Sequence, residues 1–87
     1  QLSSDYKKVL TNFLQSQDTW KYYKEYTLPL AIAQRNGALL QYNEEAIDYL
    51  SFLQHIKSSI ELEVKTWRAF EAYMMYKIEL AYYANTK

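Results

Sequence analysis

The chain has no cysteine, one glycine, one proline and no net charge, since ten Lys and Arg balance ten Asp and Glu over 87 residues. Without cysteine there is no disulfide, no thiolate metal site and no Cys nucleophile. This absence fits an oxidising space without fixing the compartment. With so few breakers, and with Leu, Ala, Glu, Lys, Gln and Tyr abundant, the chain is expected to form long helices. Zero net charge removes the electrostatic basis for binding nucleic acid or an anionic membrane surface. No apolar run approaches the roughly 20 residues needed to span a bilayer. The length suits one small domain and is too short for two. The first residue is Gln1 and no signal peptide follows, so the chain reads as an excised piece or a processed product.

What the chain has in excess is aromatic side chains: ten Tyr, three Phe and two Trp. Tyrosine buries its ring while its hydroxyl stays near water, which suits thin bundles and interfaces. In the first half, Tyr6, Leu10, Phe13, Trp20 and Tyr23 recur in helical steps and mark one face, with Gln17 interrupting the row. Ser3 or Ser4 is the expected cap of this helix, with Asp5 in its first turn. Pro29 removes a backbone donor and sets its ring against the carbonyl of Glu25. Two outcomes follow: a helix of about 3–42 kinked near Leu28, or two helices meeting there with Thr27 as a cap. The kink is favoured, because the apolar pattern resumes at once. Gly37, inside this segment, is expected to mark a close helix approach.

The second half carries a stripe of Leu53, Ile56, Ile60, Val64, Trp67, Phe70, Met74, Ile78 and Ala81. Its mean step of 3.5 residues is that of a left-handed coiled-coil seam. A helix of about 44–84 would be roughly 60 Å long. Between the halves, Asn43 reads as an N-cap and Glu44, Glu45 and Asp48 as acids favoured at a helix start. The expected architecture is all-α: an antiparallel hairpin with a bend at Tyr42–Ala46, packed by self-association into a larger bundle. Folding at residue 45 sets Trp67 near Tyr23, Phe70 near Trp20 and Leu80 near Leu10. A second row (Leu50, Ala69, Tyr73, Tyr76, Leu80, Tyr83) is expected to face a further helix.

Specific chemistry is sparse. His55 is the sole histidine, with no acid three or four residues away, and reads as a surface or seam residue. Met74 reads as packing rather than as a soft-metal ligand. Glu44, Glu45 and Asp48 could pair as catalytic carboxylates, but helix-start electrostatics accounts for them. Glu61, Glu63 and Lys65 read as a solvated face. No phosphate loop or nucleophile triad is present, so no catalysis, cofactor or metal is expected.

Three segments carry a family likeness: Glu25-Tyr26-Thr27-Leu28-Pro29-Leu30-Ala31, Ala38-Leu39-Leu40-Gln41-Tyr42, and Ile47-Asp48-Tyr49-Leu50-Ser51-Phe52-Leu53-Gln54. Together they resemble the TolC-like outer-membrane efflux proteins, and within them the heavy-metal efflux branch. That pattern has a Leu-Pro-x-Ala step, a helix ending in Tyr, and a Gly-Glu-Ile-Asp-Tyr-Leu run after the bend. This chain has Glu45 where the pattern has Gly, and Ala46 where it has Glu. Glu meets a left-handed turn only at a cost. The bend is therefore expected to be shaped differently or to lie nearer Asn43. The resemblance implies a periplasmic hairpin, one of several from three subunits that form an export duct. Its bend would be a docking tip for a periplasmic adaptor protein or an inner-membrane pump. On this chain the tip would comprise Tyr42, Asn43, Glu44, Glu45, Ile47, Asp48 and Tyr49. The rival expectation is a free-standing coiled-coil interaction module.

Overall fold

A computed structural model describes residues 2–85, with side chains described from residue 4. Helix α1 runs Leu2–Tyr22, a π-helical turn covers Tyr23–Thr27, α2 runs Leu28–Asn43 and α3 runs Tyr49–Asn85. No strand occurs among the described residues. The α1–α2 arm and α3 lie side by side as an antiparallel hairpin with extents of 63 × 18 × 16 Å. Because α1 already includes Leu2, Ser3 and Ser4 lie within its first turn rather than capping it from outside.

Pro29 is accommodated without breaking the arm. The N–H of Leu28 donates to the carbonyl of Tyr23, five residues back, in place of the α-helical partner four back. This widened turn supplies the adjustment that the missing N–H and the bulk of Pro29 demand. Thr27 remains in the right-handed helical region (φ −74, ψ −45) and makes no side-chain cap bond, so the expected cap there is not made. Instead Thr27 is buried in the seam.

The π turn also shifts the register. Val9, Phe13, Ser16, Trp20, Tyr23 and Thr27 follow heptad steps on the face toward α3, all buried or half-buried. Continued unchanged, those steps would bring Leu30 and Gly37 inward. The extra residue in the wide turn brings in Ala31 (0 % exposed) and Ala38 (3 %) instead, and leaves Leu30 61 % exposed. Gly37 is thus not a point of close approach: a methyl group added there would meet nothing within 4 Å.

On α3 the row facing the other arm is Phe52, Ser59, Thr66, Tyr73 and Leu80, flanked by Leu62, Ala69, Tyr76 and Tyr83. Ser59 and Thr66 are completely buried. Their hydroxyls donate to carbonyls of their own helix, Ser59 to Ile56 at 2.8 Å and Thr66 to Leu62 at 2.9 Å. Ser16 does the same to Phe13 at 2.8 Å. Burying these hydroxyls therefore leaves no unmet donor. Small residues on both arms let the backbones come close, and rings close the seam at its sides. Trp20 lies 4.8 Å from Phe70, as expected, and 6.3 Å from Trp67, which thus meets Trp20 rather than Tyr23. Phe13 stacks on Tyr73 at 5.6 Å. Arg35 and Glu63 form an ion pair of 2.6 Å across the hairpin.

The long apolar stripe of α3 is not the centre of the seam, although Trp67 and Phe70 close its side against Trp20. Leu53, Ile60, Val64, Trp67 and Ile78 are exposed, Trp67 by 52 % and Ile78 by 65 %. The row expected to await a further helix is the one turned inward, apart from Leu50, which is exposed.

Candidate docking tip

The tip begins where α2 stops. The N–H of Glu44 donates to Leu40 O at 3.0 Å, that of Glu45 to Tyr42 O at 3.0 Å, and that of Ala46 to Gln41 O at 2.8 Å. The last two bonds are the paired five-to-two and six-to-one bonds of a Schellman motif. The residue between cap and exit, Glu45, has φ 60. It is the one described non-glycine residue in the left-handed region. That position is usually glycine, because a Cβ there crowds the following carbonyl. The bend is therefore not displaced to Asn43: Glu45 itself takes the left-handed conformation.

Helix α3 begins at Tyr49, later than expected. Asn43 is the last residue of α2 rather than the cap of α3. The cap is Asp48, whose Oδ1 accepts the N–H of Ser51 at 2.7 Å while its carbonyl accepts that of Phe52 at 3.0 Å. An aspartate three residues before Ser51 satisfies the helix-start rule as well as Asn43 does, and it lies five residues nearer the regular pattern. Hydrogen bonds from Ser51, first from its backbone and then from its side chain, hold the Asp48 carboxyl below its ordinary pKa, slightly opposed by desolvation.

Rings stiffen the turn from the side. Tyr42 stacks on Phe52 at 4.6 Å, and Tyr49 lies 6.0 Å from Tyr42 and 6.5 Å from Phe52. The structure thus brings Tyr42, Asn43, Glu44, Glu45, Ile47, Asp48 and Tyr49 to one end of the rod. Ile47 is half-buried and the other six are exposed. Asp48 is occupied as a cap, whereas Glu44 and Glu45 are exposed and form no ion pair among the described residues. Phe52 belongs to this end too. Its spacing of three from Tyr49 on a helix face is the sequence signal for it.

The other candidates lie apart. His55 is exposed, Met74 half-buried and Met75 exposed. Among the described residues no group of three His, Cys, Asp or Glu side chains is placed to hold a metal ion. Among the described residues no helix is long and apolar enough to cross a membrane. No known protein family, curated protein or solved structure matches the chain.

Proposed function

We propose that this hairpin is a periplasmic wall element of an outer-membrane efflux duct, and that its bend docks onto a periplasmic adaptor or an inner-membrane pump. The observation that carries this reading is the backbone at Glu45. A TolC-like pattern places glycine in a left-handed bend between a helix-ending Tyr and Ile-Asp-Tyr-Leu. Here Tyr42 and Ile47-Asp48-Tyr49-Leu50 flank such a bend, with Glu45 at φ 60. Backbone strain that is retained despite its cost concentrates at functional sites. The work is docking and conduction, with no bond chemistry and no cofactor. In the duct, hairpins from three subunits stand side by side with their tips at one end. The exposed Glu44 and Glu45 call for a basic or hydrogen-bond-donating surface on the partner.

The test is Glu44→Lys with Glu45→Lys in the protein that carries the hairpin, read by substrate efflux and by cross-linking to the adaptor. Both should fall sharply while helix content holds, because Lys and Glu meet similar strain at φ 60. Unchanged efflux and cross-linking would remove the tip from the docking surface. One observation favours the second reading, a free-standing coiled-coil interaction module. It is the exposed apolar stripe of α3, which needs a partner whether or not the tip docks.

A further inference from the structure

Along the exposed flank of α3, every seventh residue is Leu50, Lys57, Val64, Glu71 and Ile78. All five are exposed. Seven-residue rows stay in line when two helices supercoil left-handedly. From its centre at Val64 this row is symmetric in size and opposite in charge: Lys57 balances Glu71, and Leu50 balances Ile78. Two such rows laid antiparallel, with Val64 on the two-fold axis, set Lys57 against the partner's Glu71 and Leu50 against the partner's Ile78. Laid parallel, they set Lys57 against Lys57 and Glu71 against Glu71, and like charges at that spacing repel. A neighbouring row repeats the choice, since Glu61 then falls beside the partner's Arg68. None of these four charges forms an ion pair among the described residues. The apolar residues beside them, Ile60 and Trp67, are each about half exposed.

We propose that the occupant of this flank is a second copy of the chain, docked antiparallel through α3 to give a two-fold-symmetric four-helix rod with a tip at each end. A two-fold contact needs one self-complementary patch, and the row supplies it in both shape and charge sign. Leu50 to Ile78 spans about 42 Å of helix. A stable interface takes about 800 Å² per partner, roughly an eighth of the hairpin's 6629 Å² of exposed surface. An antiparallel pair puts its tips at opposite ends, so the pairing goes with the free-standing interaction module and not with the duct, in which tips share one end.

Sedimentation of the chain and of Lys57→Glu, Glu71→Lys and the double variant tests the direction of pairing. Each single reversal should weaken dimerisation about tenfold, the scale of two exposed pairs turned repulsive, and less so in high salt. The double reversal should restore it. Circular dichroism checks that every variant remains helical. Oxidising an equal mixture of Leu50→Cys and Ile78→Cys chains, in a protein with no other cysteine, should give mainly the mixed disulfide. A monomer at the highest soluble concentration, single reversals without effect, or disulfides only between like chains would each overturn the proposal. So would a larger assembly lacking the mixed disulfide, which would mean that the flank is covered by a different face.

Discussion

Glu45 sits in a backbone conformation that costs an L-residue about 1–2 kcal/mol, and both bonds of the turn depend on it. Replacing it by glycine keeps the Schellman geometry and relieves the crowding. Glu45→Gly should therefore stabilise the hairpin by about 1 kcal/mol, read as a higher urea midpoint at unchanged slope. A lower midpoint would mean that the glutamate side chain makes a contact worth more than the strain. Three residues on, Asp48 links stability to pH. Its folded pKa is depressed by the bonds from Ser51. Its contribution is thus complete above the ordinary carboxylate value and is lost as pH falls through the lowered one. Asp48→Asn keeps a capping oxygen but removes the titration. Its urea midpoint should fall less than that of the parent chain between neutral and strongly acid pH, and equal falls would show that Asp48 does not carry this dependence. The position of the bend was legible in the residue types, but the cap was not. Asn43 and Asp48 both satisfy the helix-start rule, and only the left-handed turn at Glu45 makes Asn43 an ending and Asp48 a beginning.

Among the elements, the π turn decides what each face of the first arm does. It inserts one residue into the heptad count, so Ala31 and Ala38 replace Leu30 and Gly37 in the seam. Gly37 then lies in mid-helix with open space where a Cβ would stand. There it carries the entropic cost of glycine without any return from packing. Gly37→Ala should raise stability by about 0.5–1 kcal/mol, measured by thermal or urea unfolding. A destabilised variant would instead mean that residue 37 meets a neighbouring chain. Proline announced a distortion in the sequence. That it takes the form of a wide turn, and so shifts the register, depends on which faces pack, and composition does not carry that. The two stripes of α3 show the same limit. Counting large apolar residues selects Ile60, Val64, Trp67 and Ile78 as the seam. Close approach of two helices selects Ser59, Thr66 and Ala69, because small side chains let the backbones near each other and the hydroxyls are satisfied within their own helix. Both rows share a coiled-coil spacing, so periodicity made the helix legible without saying which of its faces turns inward.

At the scale of the whole molecule, the hairpin has little to hold it together alone. Among the described residues its shielded apolar side chains are Val9, Ala31, Ala38 and Ala69, three of them alanines. Chains this small usually add a staple. Here there is no cysteine, and no metal-binding group among the described residues. The Arg35–Glu63 pair is partly solvated, which places it in the range of about 0–1 kcal/mol. The large apolar groups that could contribute most are on the outside of α3, so stability should come from association and follow mass action. At a concentration about 100 times the dissociation constant, pairing adds about 2.7 kcal/mol. For a chain of this size that corresponds to a rise in melting temperature on the order of 10 °C. Thermal unfolding across a dilution series should therefore show Tm climbing with concentration in the parent chain. In Lys57→Glu the same climb should be displaced to roughly tenfold higher concentration. A parent Tm independent of concentration would locate the stability inside the single hairpin and leave the outer stripe of α3 without a role in folding.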